Sequence, residues 1–132
     1  MGNADSDVVF QSYGRCCNNE SFFIDFYDRF MGSSAEIRAL FANTNMAAQR
    51  HLLRNGIMQL VLHARGMPDT KLRALGCSHS RTGFNIRPEW YGLWLDALLA
   101  TLRQYDPQFD ETTALCWRRA IGPGIEVIRG AY

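Results

Sequence analysis

Apolar residues recur along this chain with the spacing of one helix face rather than the alternation of a half-buried strand. Four aromatic residues within residues 20–32 follow the i, i+3, i+4, i+7 pattern: Phe23, Phe26, Tyr27 and Phe30. Five apolar residues within residues 46–65 again share one face: Leu53, Ile57, Leu60, Val61 and Ala64. No segment reads as a strand, so the pattern predicts an all-α chain.

Glycine, proline and polar breaks divide this pattern into helices. The predicted helices cover residues 5–17, 20–32, 46–65, 70–79 and 88–104, with a short helix that follows Ser34 and a last one that follows Asp110. The stretch 80–87 is predicted to be a loop. Pro123 lies inside the last helix, and we expect a kink or local break there, because proline removes a backbone donor and clashes with the preceding turn.

Composition limits the chain to a few classes of protein. Its 132 residues suit one domain spanning 1–132, with 47% hydrophobic and 20% charged residues. A net charge of +1 does not favour nucleic acid as a partner. No apolar run is long enough to cross a bilayer, and residues 1–6 lack the basic and apolar regions of a secretory signal. We therefore expect a cytoplasmic domain with no membrane or nucleic-acid partner.

The four cysteines do not form a recognisable metal or redox motif. They are Cys16, Cys17, Cys77 and Cys116, and no CxxC pair occurs among them. A bridge between the adjacent Cys16 and Cys17 would strain the peptide between them. We expect reduced, partly buried thiols.

Three predicted helices place a polar residue at or beside the apolar face: Tyr27, Gln49 and His79. Gln49 and Leu53 are four residues apart and share a face. A buried amide costs free energy unless it finds a partner, and a bound ligand or water would supply one. One histidine late in a helical chain, with a tyrosine and a glutamine ahead of it, is a way to hold a haem iron between an imidazole and a polar pair.

Several short segments follow one another in an order typical of one family. They are Phe26-Tyr27-Asp28-Arg29-Phe30, residues 35–41, Gln49 with Leu53, His79, Arg87-Pro88-Glu89 with Tyr91, and Trp117 in the last helix. Together they span most of the chain, and in this order they resemble the bacterial globins, especially the haem domain of flavohaemoglobins and related single-domain globins. The resemblance implies a globin fold, with helices packed around a pocket for haem b.

On the proximal side, the resemblance implies that His79 binds the haem iron through Nε2. Its Nδ1–H would donate to the Leu75 carbonyl or the Ser78 hydroxyl and so set the orientation of the ring. Tyr91 would pack near this histidine, and Ile86 would line the proximal face of the haem.

On the distal side, Phe41 would wedge the haem at a corner between helices, and Leu53 would lie next to the gas. Tyr27 and Gln49 would hold bound oxygen by hydrogen bonds worth about 1–3 kcal/mol each. The stretch from Phe41 to Gln49 is shorter than in flavohaemoglobins, so His51 is an alternative distal residue.

Two further departures bear on catalysis. The last helix has no obvious counterpart of the glutamate that pairs with the proximal histidine in that family; Glu126 is the one acid deep in it. The chain also has no GxGxxG and no flavin or nicotinamide reductase portion, so redox turnover would need an external reductase.

Three functions therefore remain open. The first is reversible binding of oxygen, and of NO or CO, at a pentacoordinate haem iron, for oxygen transport or for NO detoxification as a dioxygenase. The second is a haem-based gas or redox sensor acting through a protein partner. The third is a haem-free regulatory globin. Each is compatible with a monomer or a homodimer.

Overall fold

The computed structural model describes residues 3–132, which form seven helices. In chain order these are α1 (Asn3–Cys16), α2 (Glu20–Gly32), α3 (Ala35–Leu40), α4 (Met46–Ala64), α5 (Thr70–His79), α6 (Trp90–Tyr105) and α7 (Glu111–Gly130). No strand occurs within residues 3–132, which confirms the all-α prediction. Within the same residues, no helix is both long and apolar enough to cross a membrane. Of the N-terminal residues 1–6, the first two lie outside the described part.

Helix starts follow from local side-chain chemistry. Asn19, Ser34 and Asp110 each cap a helix by accepting a backbone N–H two or three residues later, at 3.0, 3.2 and 2.8 Å. Asp69 precedes α5 but makes no such cap; its carboxylate instead pairs with Arg73 at 2.9 Å. Asn45 caps α4 in the same way, accepting from the Ala48 N–H at 3.2 Å, so side-chain caps stand at the starts of α2, α3, α4 and α7.

Helix α7 is the central helix of the fold, and it continues through Pro123 without a break. The predicted local break is therefore wrong, whereas a kink at Pro123 stays a prediction. The reason is packing, since α1, α4 and α5 all pack on α7, and its buried residues lie on both sides of the proline. A Cβ added at Gly124 would lie 2.7 Å from Leu60 Cδ2, which shows how closely α4 approaches this helix. A break in α7 would expose apolar surface to water. The free energy lost in this way would exceed the free energy of the one backbone hydrogen bond that Pro123 removes.

A second packing layer joins α2 to α6 through aromatic side chains. The ring centroids of Phe26 and Trp94 are 5.8 Å apart, and those of Phe22 and Tyr105 are also 5.8 Å apart. Arg29 reaches across to the Thr101 hydroxyl at 3.1 Å. This layer fixes α2, and with it Tyr27, against the rest of the molecule.

A buried polar network joins α1 to the turn between α6 and α7. Asp106 is 2% exposed and accepts hydrogen bonds from Ser12 Oγ at 2.7 Å and from Arg15 at 2.6 and 3.0 Å. Ser12 in turn accepts from Trp117 Nε1 at 3.0 Å. Burial by itself would raise the pKa of Asp106, but the donors from Arg15, Ser12 and the Gln108 amide hold the pKa below its usual value.

The four cysteines are free thiols, as expected from their spacing. Cys16 and Cys116 are buried, Cys17 is half-buried and Cys77 is exposed. Burial raises the pKa of Cys16 to about 12, so this residue behaves as a neutral core side chain.

Candidate functional site

One pair of polar side chains joins α2 to α4. Tyr27 is only 4% exposed, and Gln49, in the first turn of α4, donates from Nε2 to its hydroxyl oxygen at 3.1 Å. Within the residues that the structure describes, the Tyr27 O–H makes no other hydrogen bond. Because Gln49 occupies the oxygen as an acceptor, the Tyr27 proton stays available for a ligand that can accept it.

The protonation state of Tyr27 supports its role as a donor. Burial raises its pKa to about 12, although the hydrogen bond from Gln49 opposes this shift. Tyr27 is therefore a neutral phenol over the physiological pH range and keeps its O–H.

Apolar side chains surround this pair. The Phe41 ring lies at the C-terminal end of α3, with its centroid 5.4 Å from that of Tyr27 and 6.2 Å from that of Phe30. Leu53 is buried one helical turn beyond Gln49. His51, the alternative distal residue, is exposed on α4. The structure therefore places Gln49, and not His51, beside Tyr27.

A second pair joins the end of α5 to the start of α6. His79 is the last residue of α5 and is half-buried, and its Nδ1 lies 3.1 Å from the Tyr91 hydroxyl oxygen. This corrects the expected bond to Leu75 or Ser78. Those two residues bond to each other, because the Ser78 hydroxyl donates to the Leu75 carbonyl at 2.8 Å. The orientation of the His79 ring is therefore set by α6 and not by its own helix.

The segment that follows His79 folds back on it. The Ile86 N–H donates to the His79 carbonyl at 2.9 Å, and the Ile86 side chain is half-buried against the core. The predicted loop over residues 80–87 is present and ends just before the turn that leads into α6. Ile86 is thus held beside His79 by the backbone.

Glu126 lies near this proximal pair without joining it. Tyr91, Glu126 and Arg129 line one cavity of about 220 Å³ between α6 and α7. The Glu126 carboxylate pairs with Arg129 at 3.3 Å, and no hydrogen bond links it to Tyr91 within the described residues. Burial raises the pKa of the Tyr91 hydroxyl to about 12, so Tyr91 is also a neutral phenol.

A solved structure from Pseudomonas aeruginosa PAO1 matches nearly the whole chain. It is 57% identical in sequence, superposes with a TM-score of 0.94, and the match covers 97% of this chain and 98% of that one. That protein is described as structurally highly homologous to a human hemoglobin. This chain belongs to the globin family. The predicted globin fold is confirmed, whereas the specific likeness to flavohaemoglobins stays a prediction. No protein-family model and no curated protein matches the chain.

The globin fold implies a haem cofactor, and the donor set of His79 fits one. If Nδ1 carries the proton and donates it to Tyr91, the lone pair of Nε2 is free, which is the metal-binding form of a neutral imidazole. Nε2 makes no hydrogen bond within the described residues, and burial lowers the pKa of His79, which favours that neutral form. No group of three or more His, Cys, Asp or Glu residues within residues 3–132 could hold a metal ion.

Two residues beside this site, Asn85 and Tyr132, were not singled out in the sequence analysis. Asn85 adopts a left-handed φ of 54°, and its side chain accepts a hydrogen bond from the Tyr132 hydroxyl at 2.6 Å. Asparagine is one of the few residues that tolerate this backbone conformation, so a tight turn at Asn85 could have been predicted. Its contact with a residue 47 positions later could not.

Proposed function

We propose that this globin binds haem b and reversibly binds a diatomic gas, with oxygen as the preferred ligand over CO. The observation that carries this proposal is the buried Tyr27–Gln49 pair, whose Tyr27 proton has no acceptor within the described residues. A bound haem would supply the coordination position for the gas. His79 would hold the iron through Nε2, and Tyr91 would hold the His79 ring in place.

The polarity of the distal pair supports oxygen as the ligand. A bound oxygen molecule would carry partial negative charge, so it would gain from a nearby O–H or N–H donor. Tyr27 and Gln49 offer one donor each, and the Phe41 ring beside Tyr27 and the buried Leu53 one turn beyond Gln49 are apolar. Such donors act most strongly where water is excluded.

The experiment compares His79→Ala with His51→Ala after haem reconstitution of the purified proteins. The visible absorption spectrum is recorded for the ferric form, the dithionite-reduced form and the reduced form with CO. We expect the wild type and His51→Ala to share a Soret band that shifts with CO, since His51 is exposed on α4. His79→Ala should lose or strongly alter that band. An unchanged band in His79→Ala would contradict the assignment of the iron ligand.

The spectrum of the ferrous form tests whether the sixth coordination position of the iron is free for a gas. A broad, five-coordinate pattern is expected, because Gln49 is engaged with Tyr27 and His51 is exposed to solvent. A sharp six-coordinate spectrum in the wild type would mean that a side chain occupies the place reserved for the gas.

A further inference from the structure

We propose that Tyr132 is a positioning residue that anchors the loop behind His79 and thereby fixes the His79 imidazole toward the haem. This inference deepens the proposed function and rests on it for the part that concerns haem. The anchor itself is a feature of the protein alone.

The loop 80–87 depends on a tight turn against the last turn of α5. The Phe84 N–H donates to the Ser78 carbonyl at 2.8 Å, and the Gly83 N–H donates to the Ser80 carbonyl at 2.9 Å. A Cβ added at Gly83 would lie 2.2 Å from the Ser78 carbonyl oxygen, so the close approach requires glycine there. Together with the bond from Ile86 to the His79 carbonyl, this turn links the loop directly to the backbone of His79.

The loop has little packing of its own. Residues 81–85 are all exposed, and Phe84 is 69% exposed. A segment with few buried contacts opens locally at low cost in free energy, so one side-chain anchor has a large share in holding it.

Tyr132 supplies that anchor through two contacts. Its hydroxyl donates to Asn85 Oδ1 at 2.6 Å, and the Arg81 guanidinium lies 4.7 Å from the centroid of its ring. The two contacts hold opposite sides of the Gly83 turn. The hydrogen bond also stabilises Asn85 in its left-handed conformation, which an exposed residue would otherwise leave readily.

The C-terminal end of α7, which leads into Tyr132, is itself packed against α5. A Cβ added at Gly76 would lie 2.9 Å from Ala131 Cβ and 3.0 Å from the Ile128 carbonyl oxygen, so α5 and the end of α7 touch closely at this point. The end of α7 therefore holds α5 before His79 through Gly76 and the loop after His79 through Tyr132. With both flanks fixed, the ring keeps the position in which Nδ1 meets Tyr91.

The test is Tyr132→Phe, which removes the hydroxyl but keeps the ring over which Arg81 lies. Tyr105→Phe is the matched control, because Tyr105 is also a half-buried tyrosine whose hydroxyl donates to a side chain, Asp25, on the α2–α6 side. Asn85→Gly is a second variant that removes the acceptor and still permits a positive φ.

Two measurements are made on the haem-loaded proteins. The first is the rate of haem loss to an excess of a haem-scavenging apoprotein, and the second is the iron–histidine stretching frequency of the ferrous form. The loss of one hydrogen bond should speed haem loss roughly threefold to tenfold in Tyr132→Phe and in Asn85→Gly. Their double variant should add little to either single change, because both remove the same bond. The stretching band should shift or broaden in these variants and stay unchanged in Tyr105→Phe.

A third measurement is independent of haem. Hydrogen exchange of the amides of residues 83–86 in the haem-free protein should be faster in Tyr132→Phe than in Tyr105→Phe. Equal exchange in the two variants would overturn the anchor. Faster exchange with unchanged haem loss and an unchanged stretching band would overturn the positioning role. A wild type that takes up no haem would refute the proposed function, and the exchange data would still decide whether Tyr132 anchors the loop.

Discussion

Replacing Tyr27 with phenylalanine is the most direct test of the distal pair. The substitution removes one hydroxyl and keeps the ring, whose centroid lies 5.1 Å from that of Phe26 and 5.4 Å from that of Phe41. The shape of the apolar wall is therefore maintained, while the proposed donor to the gas is lost and Gln49 loses its 3.1 Å partner.

The size of the effect follows from the kind of bond that is lost. A hydrogen bond to a partly charged acceptor in a buried site is worth about 1.5–3 kcal/mol, which corresponds to oxygen release roughly 10- to 150-fold faster. CO draws little charge from iron, so its release should change far less. In Tyr27→Phe the freed Gln49 amide can turn toward the gas and recover part of the loss. The double variant with Gln49→Leu should then differ from the sum of the single changes.

The assay is stopped-flow displacement of oxygen by CO, together with CO release displaced by NO. Tyr13→Phe is the control, since Tyr13 is a buried tyrosine whose hydroxyl donates to the Arg54 carbonyl at 2.9 Å, away from the Tyr27–Gln49 pair. Oxygen release from Tyr27→Phe at the rate of this control, or a CO rate that rises as much as the oxygen rate, would rule out a Tyr27 hydrogen bond to the gas.

Three further predictions concern stability. The pKa of Asp106 is held below its usual value, so the stability that its carboxylate contributes is present above about pH 4 and is lost as the pH falls through the folded-state pKa. Asp106→Asn should lower the free energy of unfolding by about 2 kcal/mol at pH 7. The urea midpoint of this variant should fall less steeply toward pH 2 than that of the wild type. Gly83→Ala should lower the free energy of unfolding by about 1–3 kcal/mol, because its Cβ would lie 2.2 Å from the Ser78 carbonyl oxygen; an unchanged urea midpoint would contradict the close approach. Pro123→Ala should raise that free energy by about 1–3 kcal/mol by restoring a backbone donor to α7, and a lower thermal midpoint would show instead that the proline suits its place.

Much of the fold follows from local periodicity. The faces that carry Phe26 and Phe30 on α2, and Leu53 and Ile57 on α4, are buried as their spacing predicts. The apolar residues of a buried helix face recur every three or four positions, so the number of helices and their approximate bounds can be predicted without long-range information. The exception is Pro123, where the local rule predicts a kink or a local break and α7 continues without a break, because the helices packed on it bury residues on both sides of the proline.

Less of the site could be predicted from the sequence, because its hydrogen bonds join residues on different helices. The residue types of Tyr27, Gln49 and His79 could be singled out from the sequence, and their place on helices was predicted. Their hydrogen-bond partners could not be predicted, because these depend on how α2 packs against α4 and how the end of α5 meets the start of α6. Tyr91 and not Ser78 holds His79, and Gln49 and not His51 meets Tyr27.

The pattern of apolar and polar residues was therefore enough to predict an all-α chain with a histidine at the end of one helix and a tyrosine on the buried face of another. Which side chains meet across helices, including the contact of Tyr132 with Asn85, followed only from the packed fold. The physical reason is that helical periodicity specifies which face of each helix is buried, whereas the contacts across that face arise from the packing of whole helices against one another.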